Sequence, residues 1–215
     1  GNDSLFVAKL DNKKTLDLYS IHGPFLLYVG NAYPHKNLEG LIAVFLRLHN
    51  KRPDLRLVLV GKEDYFYNRV KEIARVNNLW QKENHNSPVV FTGYVSDINL
   101  EALFQEAAVY VFPSLYEGFG LPPLEAMAHG CPVASSNRAS MPEILGSAAV
   151  YFDPENKEEM AGVIEDVLDH PDKSQELIKR GYQQIKKYSW WECARRTSDI
   201  YNKVLLILKM VQVGY

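Results

Sequence analysis

Six short runs of apolar residues recur between positions 25 and 152, and the segments between them carry apolar side chains at helical spacing. The runs are Phe25 to Val29, Leu57 to Val60, Val89 to Phe91, Val109 to Phe112, Val133 to Ser135 and Ala149 to Phe152. Most are apolar throughout instead of alternating, as strands buried on both faces of a parallel sheet are. Between the first two, Leu38, Leu41, Ile42, Phe45 and Leu48 recur with the period of a helix behind Asn37, a residue type suited to cap it. Further helices are expected at Tyr65 to Asn77, Asn99 to Ala107, Leu124 to His129 and Ser140 to Leu145, with Gly130 closing the fourth. Such alternation predicts an α/β fold, a Rossmann-like, doubly wound, six-stranded parallel sheet. After Pro154 the strand signals stop. Extra C-terminal helices follow at about Lys157 to Asp169, Asp172 to Lys187 and Trp190 to Lys209. The last carries Ile200, Val204, Ile207 and Leu208 on one side and is expected to dock on a core. Its other side has no basic stripe of the kind that holds a helix on a membrane surface.

Composition removes several functional classes. The 215 residues include 24 basic and 26 acidic side chains, a formal charge of −2, and 47% are apolar, which suits a globular chain with a sizeable core. Without Lys/Arg blocks there is no broad footprint for nucleic acid, although a local basic pocket remains open. Cys131 and Cys193 stand far apart with no CxxC or Cys/His spacing, so they read as reduced thiols and not as a zinc site. No transmembrane segment is expected, because the longest apolar runs fall far short of roughly 20 residues. The start, Gly1-Asn2-Asp3-Ser4, has no signal-peptide pattern and no Met, which suggests a fragment of a longer gene product.

Two loops carry the chemistry. The first, Gly30-Asn31-Ala32-Tyr33-Pro34-His35-Lys36-Asn37, brings a strand-end glycine and a cation to a helix N-terminus. These are the parts that hold a phosphate, since unpaired amides and the helix dipole both favour anions. A lysine before a helix is also a common solvated residue, and the loop lacks both GxxxxGK[ST] and GxGxxG. The second runs from Pro113 to Met127 and sets Glu117 and Glu125 eight positions apart around Gly118-Phe119-Gly120-Leu121-Pro122-Pro123. In one continuous helix these acids would be about 12 Å apart along the axis. The prolines forbid that: Pro123 fits the first helical position, Glu125 then lies near the third, and Glu117 precedes the helix. Both carboxylates could face one cavity, with amides around Phe119 to Leu121 aimed at a ligand. A first-turn glutamate and a solvated loop acid are the simpler alternatives. A third loop, Thr92-Gly93-Tyr94-Val95-Ser96-Asp97, is either a turn with an Asp97 cap or a platform for a base. With strand order 3-2-1-4-5-6, the first two loops meet at the topological switch point, where such sheets bind ligands.

These stretches, above all Glu117 through Glu125 and on to Val133, resemble the C-terminal domain of group 1, retaining, GT-B glycosyltransferases, and the likeness extends through Pro142-Glu143 to the final helices. The resemblance implies half of a GT-B fold: 1-24 a leader or interdomain segment, 25-188 a nucleotide-sugar-binding domain, and 189-215 a helix packing on this domain or on a missing N-terminal domain. It implies a donor such as GDP-mannose or a UDP-sugar and a glycan or lipid-linked acceptor. Lys36 would pair with the diphosphate, Glu125 with the ribose, Glu117 and the amides of Phe119 to Leu121 with the donor sugar, and Tyr94 and Val95 would lie near the base. Lys36 and Glu117 would be the catalytic pair, and Gly30, Asn31, Gly118, Gly120 and Leu121 would complete the nucleotide-sugar site. No Asp-x-Asp motif occurs, so no metal and no cofactor beyond the donor is implied. Many relatives place an arginine where this chain has Asn31; His35, a group outside the chain, or weaker diphosphate binding would follow. A noncatalytic nucleotide-binding module and a nucleotide-sugar epimerase are the alternatives. The full-length enzyme is expected to be cytoplasmic, or peripheral at the inner face of the membrane, and this half to transfer little alone.

Overall fold

The computed structural model describes residues 12–84 and 86–213. Six parallel strands, β1 (Phe25–Val29), β2 (Arg56–Val60), β3 (Val89–Gly93), β4 (Val109–Phe112), β5 (Val133–Ser136) and β6 (Ala149–Phe152), form one sheet in the order β3-β2-β1-β4-β5-β6. The central strand β1 pairs Leu27 with Val58 on one side and Tyr110 on the other, and all three are buried. Wholly apolar strands need helices on both faces. Those helices are α1 (Asn12–Leu18), α2 (Leu38–Lys51), α3 (Tyr65–Val76), α4 (Asp97–Glu106), α5 (Leu121–Ala128), α6 (Met141–Leu145), α7 (Lys157–Asp169) and α8 (Pro171–Gln184), followed by α9 (Trp190–Val213). Leu41, Ile42, Phe45 and Leu48 of α2 are buried against the sheet, each worth about 1.5–3 kcal/mol. Side-chain caps start α3 and α7, where Asp64 accepts from the Tyr67 amide and Asn156 from the Glu159 amide. Such caps contribute about 1 kcal/mol each.

The structure adds detail to several expectations. Within the segment expected as a leader or interdomain piece, residues 12–24 lie on the domain: α1 packs on α4, Thr15 and Ile21 are buried, and the Thr15 hydroxyl donates to Asn99 Oδ1 at 3.1 Å. Its apolar residues find the core locally, so the domain takes them in; the part of that segment up to residue 11, including Gly1 to Ser4, lies outside the described residues. Helix α5 starts at Leu121, which puts Pro123 third and Glu125 fifth. Two prolines fit there because the first-turn N–H groups have no intrahelical acceptor to lose. Asn37 precedes α2 in the left-handed region, φ 57°, but makes no capping bond. Asp97 is the first residue of α4, behind Ser96.

The described apolar side chains of helix α9 stay exposed, Trp190 by 81% and Trp191 by 71%, and Ile200, Tyr201, Val204, Leu205 and Leu208 are uncovered too. The side chain of Ile207, expected on the same face, lies outside the described residues, as do positions 214 and 215. Among the described residues no helix is long and apolar enough to cross a membrane.

Candidate active site at the switch point

The carboxyl ends of β1 and β4 bring the two singled-out loops together. Lys36 Nζ lies 2.5 Å from Glu117 Oε1, across 81 positions of sequence, with side-chain exposures of only 14% and 12%. The ammonium also sits 5.8 Å from the centre of the Phe112 ring, within the range of cation–π attraction. Beside this pair, Leu115 N donates to His35 O at 2.7 Å. Asn37 Nδ2 donates to Pro113 O at 3.2 Å and Pro154 O at 2.9 Å, joining the loops after β1, β4 and β6. This bracing is what Asn37 supplies in place of a cap, and sequence gave no sign of it. Ser140 Oγ donates to Glu117 O at 3.2 Å, fixing the backbone of that acid from the far side.

The amides in the second loop are held open. Gly120, φ 82°, stands at the start of α5 with no side-chain cap, and an added Cβ there would come within 2.6 Å of Met141 Cε. Among the described residues, the backbone N–H groups of residues 118 to 121 donate to no acceptor. Free backbone donors at a helix N-terminus are the groups from which anion-binding concavities are built. Glu125, in the same helix, is exposed and has no side-chain partner among the described residues. It is close enough to Tyr110 to help hold that hydroxyl protonated, after burial, and Glu117 does the same for Tyr28.

The first loop is anchored from below by three buried tyrosines that sequence analysis passed over. Tyr110 Oη donates to Val29 O at 3.3 Å, Tyr67 Oη to Gly30 O at 2.8 Å, and Tyr28 Oη to Asn31 O at 2.7 Å. Burial raises the pKa of all three phenols, so they remain donors. For Tyr28 and Tyr110, a tyrosine inside an otherwise apolar strand was the available signal, because a buried hydroxyl must find a partner. Gly30, φ 152°, accepts this crowding. At Gly61 an added Cβ would fall 2.0 Å from Gly30 O.

The remaining expected residues are distributed as follows. Asn31 turns its Oδ1 back to the Tyr33 amide at 3.2 Å, which ties it to its own loop. Tyr94 is 80% exposed beyond β3, whereas the Val95 side chain is 4% exposed and packed in the core, leaving only its backbone for a ligand. Phe119 meets Tyr188 edge to face at 5.6 Å. Cys131 is buried, its thiol pushed up by desolvation, and Cys193 is exposed. Among the described residues no three His, Cys, Asp or Glu side chains come together as a metal site would require.

Comparison with known proteins agrees with this geometry. The family model described as "Glycosyl transferases group 1" matches residues 21–184. The "O-antigen chain mannosyltransferase B" of Escherichia coli is 34% identical over 183 residues, which cover 83% of this chain and 45% of that protein. Among solved structures, a sucrose-phosphate synthase from Thermosynechococcus elongatus superposes with a TM-score of 0.78 at 26% identity, over 92% of this chain and 49% of that one. The C-terminal domain of a group 1 glycosyl transferase from Francisella tularensis superposes with a TM-score of 0.68 at 19% identity, over 82% of this chain and 92% of that domain. The last likeness speaks for the fold alone. The chain thus spans about half or less of the length of the curated relatives it matches. Its matched segment, the strand order and the switch-point loops place this chain in the group 1 glycosyltransferase family, where it corresponds to a C-terminal, Rossmann-like half of the GT-B fold.

Proposed function

We propose that this chain is the donor-binding domain of a retaining hexosyltransferase, taking a nucleotide-diphosphate sugar of the GDP-mannose or UDP-sugar type toward a glycan or lipid-linked acceptor. The observation that carries the reading is the occluded Lys36–Glu117 pair beside the unpartnered amides of residues 118 to 121. An ammonium has three donors. Lys36 can therefore keep Glu117 while donating to a phosphate oxygen, and the pair holds it in place before the ligand arrives. Glu125, unpaired at the first turns of α5, is placed to accept from ribose hydroxyls. The second oxygen of Glu117 is placed to accept from the hydroxyls of the donor sugar.

Breaking the glycosyl–phosphate bond moves its electron pair onto the phosphate oxygen and leaves positive charge on the sugar. Fixed donors at the first and a carboxylate near the second stabilise the transition state more than the ground state. In our reading the leaving phosphate stays on the face where the acceptor hydroxyl attacks and takes its proton, which retains configuration. The chemistry calls for no metal. Acceptor contacts are assigned to the remaining part of the enzyme, so these 215 residues are expected to bind donor with little or no transfer. We place the full-length enzyme in the cytoplasm, or at the inner face of the membrane where a lipid-linked acceptor would require it.

Calorimetric titration of the chain with GDP-mannose and UDP-glucose tests the proposal. At least one donor should bind saturably, and Glu125→Ala should weaken it about ten-fold, the worth of one charge-assisted hydrogen bond. Failure of every nucleotide sugar and nucleoside diphosphate to bind above background would remove it.

A further inference from the structure

We propose that Tyr28 and Tyr67 are positioning residues that aim the amides of the first loop at the diphosphate, with Tyr110 fixing the strand end just before it. The inference rests on the reading above, that this loop lies against the phosphates. Three hydroxyls from three elements, β1, α3 and β4, meet three successive carbonyls, those of Asn31, Gly30 and Val29. In a trans peptide the N–H of one residue points opposite to the preceding C=O. Fixing the carbonyls of Gly30 and Asn31 from the interior therefore fixes the N–H groups of Asn31 and Ala32 toward the outside of the loop. Those two amides donate to no acceptor among the described residues, whereas the neighbouring Gly30 amide is spent on Val60 O at 2.9 Å. Two free donors thus stand five and four positions before Lys36 on the same loop.

The surroundings are built for these bonds. Gly61 leaves the space through which Tyr67 Oη reaches Gly30, since a Cβ there would lie 2.4 Å from that hydroxyl. A Cβ on Gly30 would lie 2.8 Å from Tyr28 Oη. The three hydroxyls converge on the carbonyls of three consecutive residues. The device also bears on Asn31. Lacking an arginine side chain at that position, the chain offers a diphosphate the backbone N–H of Asn31 instead, and the tyrosines determine where it points.

The test compares Tyr28→Phe, Tyr67→Phe and Tyr110→Phe with Tyr151→Phe in the whole 215-residue chain. Tyr151 Oη donates to Gly146 O at 2.6 Å, an equally short tyrosine-to-carbonyl bond remote from the first loop, and serves as the control for mere structural loss. Each variant is titrated with GDP or UDP, whichever binds wild type, and by NMR with the corresponding nucleoside. Tyr28→Phe and Tyr67→Phe should each weaken the nucleoside diphosphate by about five- to ten-fold and the nucleoside by less than about two-fold, with a smaller effect for Tyr110→Phe, whose bond is longest. Tyr151→Phe should lower the melting temperature and leave both affinities alone. Should Tyr28→Phe not fold, Tyr67→Phe decides the matter. Equal weakening of diphosphate and nucleoside, or no weakening, would overturn the inference while Lys36→Ala still weakens the diphosphate. If Lys36→Ala also leaves diphosphate affinity unchanged, the functional reading itself has failed, and the inference with it.

Discussion

The switch-point crevice and helix α9 both pair basic with acidic side chains, and to opposite ends. In α9, Arg195 bridges Glu192 and Asp199, and Arg196 also reaches Glu192, each pair three or four positions apart on a solvated surface. Such pairs support a helix weakly and mean little beyond it. In the crevice, Lys36 and Glu117 come from loops 81 positions apart and are mostly hidden from water. Ordering two distant loops around a desolvated pair opposes chain entropy and solvation together. In our reading, a pair kept under those conditions, next to free amides, marks the candidate site. The apolar residues differ less sharply: in the sheet beneath the site Tyr28, Tyr110 and Phe112 are buried, whereas Phe119 and Leu121 in the second loop and the described apolar residues of α9 are exposed.

The sharpest way to break this contrast is to remove one cation from each region. Lys36→Ala should reduce nucleoside diphosphate affinity by roughly 100-fold, at the upper end for a charge-assisted contact, and leave free sugar binding little changed. Arg195→Ala should leave both within about two-fold. Equal loss of diphosphate and sugar on Lys36→Ala would remove the lysine from the phosphate.

Glycine substitutions probe how tightly each region is built. Gly61→Ala should destabilise the chain by about 2 kcal/mol in urea denaturation, because the new methyl collides with Gly30 O. Gly162→Ala, in α7 where an added Cβ meets nothing within 4 Å, should instead stabilise it by about 0.5–1 kcal/mol. A stabilising Gly61→Ala would show that the loop is looser than described.

Acid separates the two regions more gently. Glu192 has its pKa lowered to about 2, chiefly by its hydrogen bonds to Arg195 and Arg196. A depressed carboxylate supports the fold fully above its unfolded pKa, near 4.5, and loses that support as pH falls toward 2. Amide protection in α9 should therefore hold from neutral pH down to about 4.5 and decline below it, less steeply in high salt. Protection lost already at pH 6 would contradict the assignment. Smallest of all, Ser114→Ala should change stability by less than about 0.5 kcal/mol, since its buried hydroxyl has no partner among the described residues and nothing is lost with it.

Much of the fold was legible before any coordinates. Six apolar runs such as Phe25 to Val29 announce a parallel sheet because each must be covered on both faces, and the switch point then follows from the usual strand order. The helix boundaries were less so: Leu121 opens α5 ahead of both prolines, which only the tolerance of a first turn for Pro permits. At the site, Lys36 suggested a phosphate and the family resemblance implied sugar hydroxyls for Glu117 and Glu125, but the pairing of Lys36 with Glu117 depends on how two loops stack, which no local pattern encodes. Asn37 looked like a cap because capping is the commonest use of Asn there, and tertiary carbonyls at Pro113 and Pro154 took it instead. For α9, periodicity revealed an apolar side and could say nothing of what covers it.

Backbone amide exchange with and without nucleotide sugar tests the central claim most directly. In the free chain the amides of residues 118 to 121, which have no internal acceptor, should exchange within the fastest class. On saturation with the donor that binds, those amides and the amides of Asn31 and Ala32 should become protected, while residues 190 to 213 keep their rates. Protection confined to other parts of the chain, or none at saturating donor, would contradict the account.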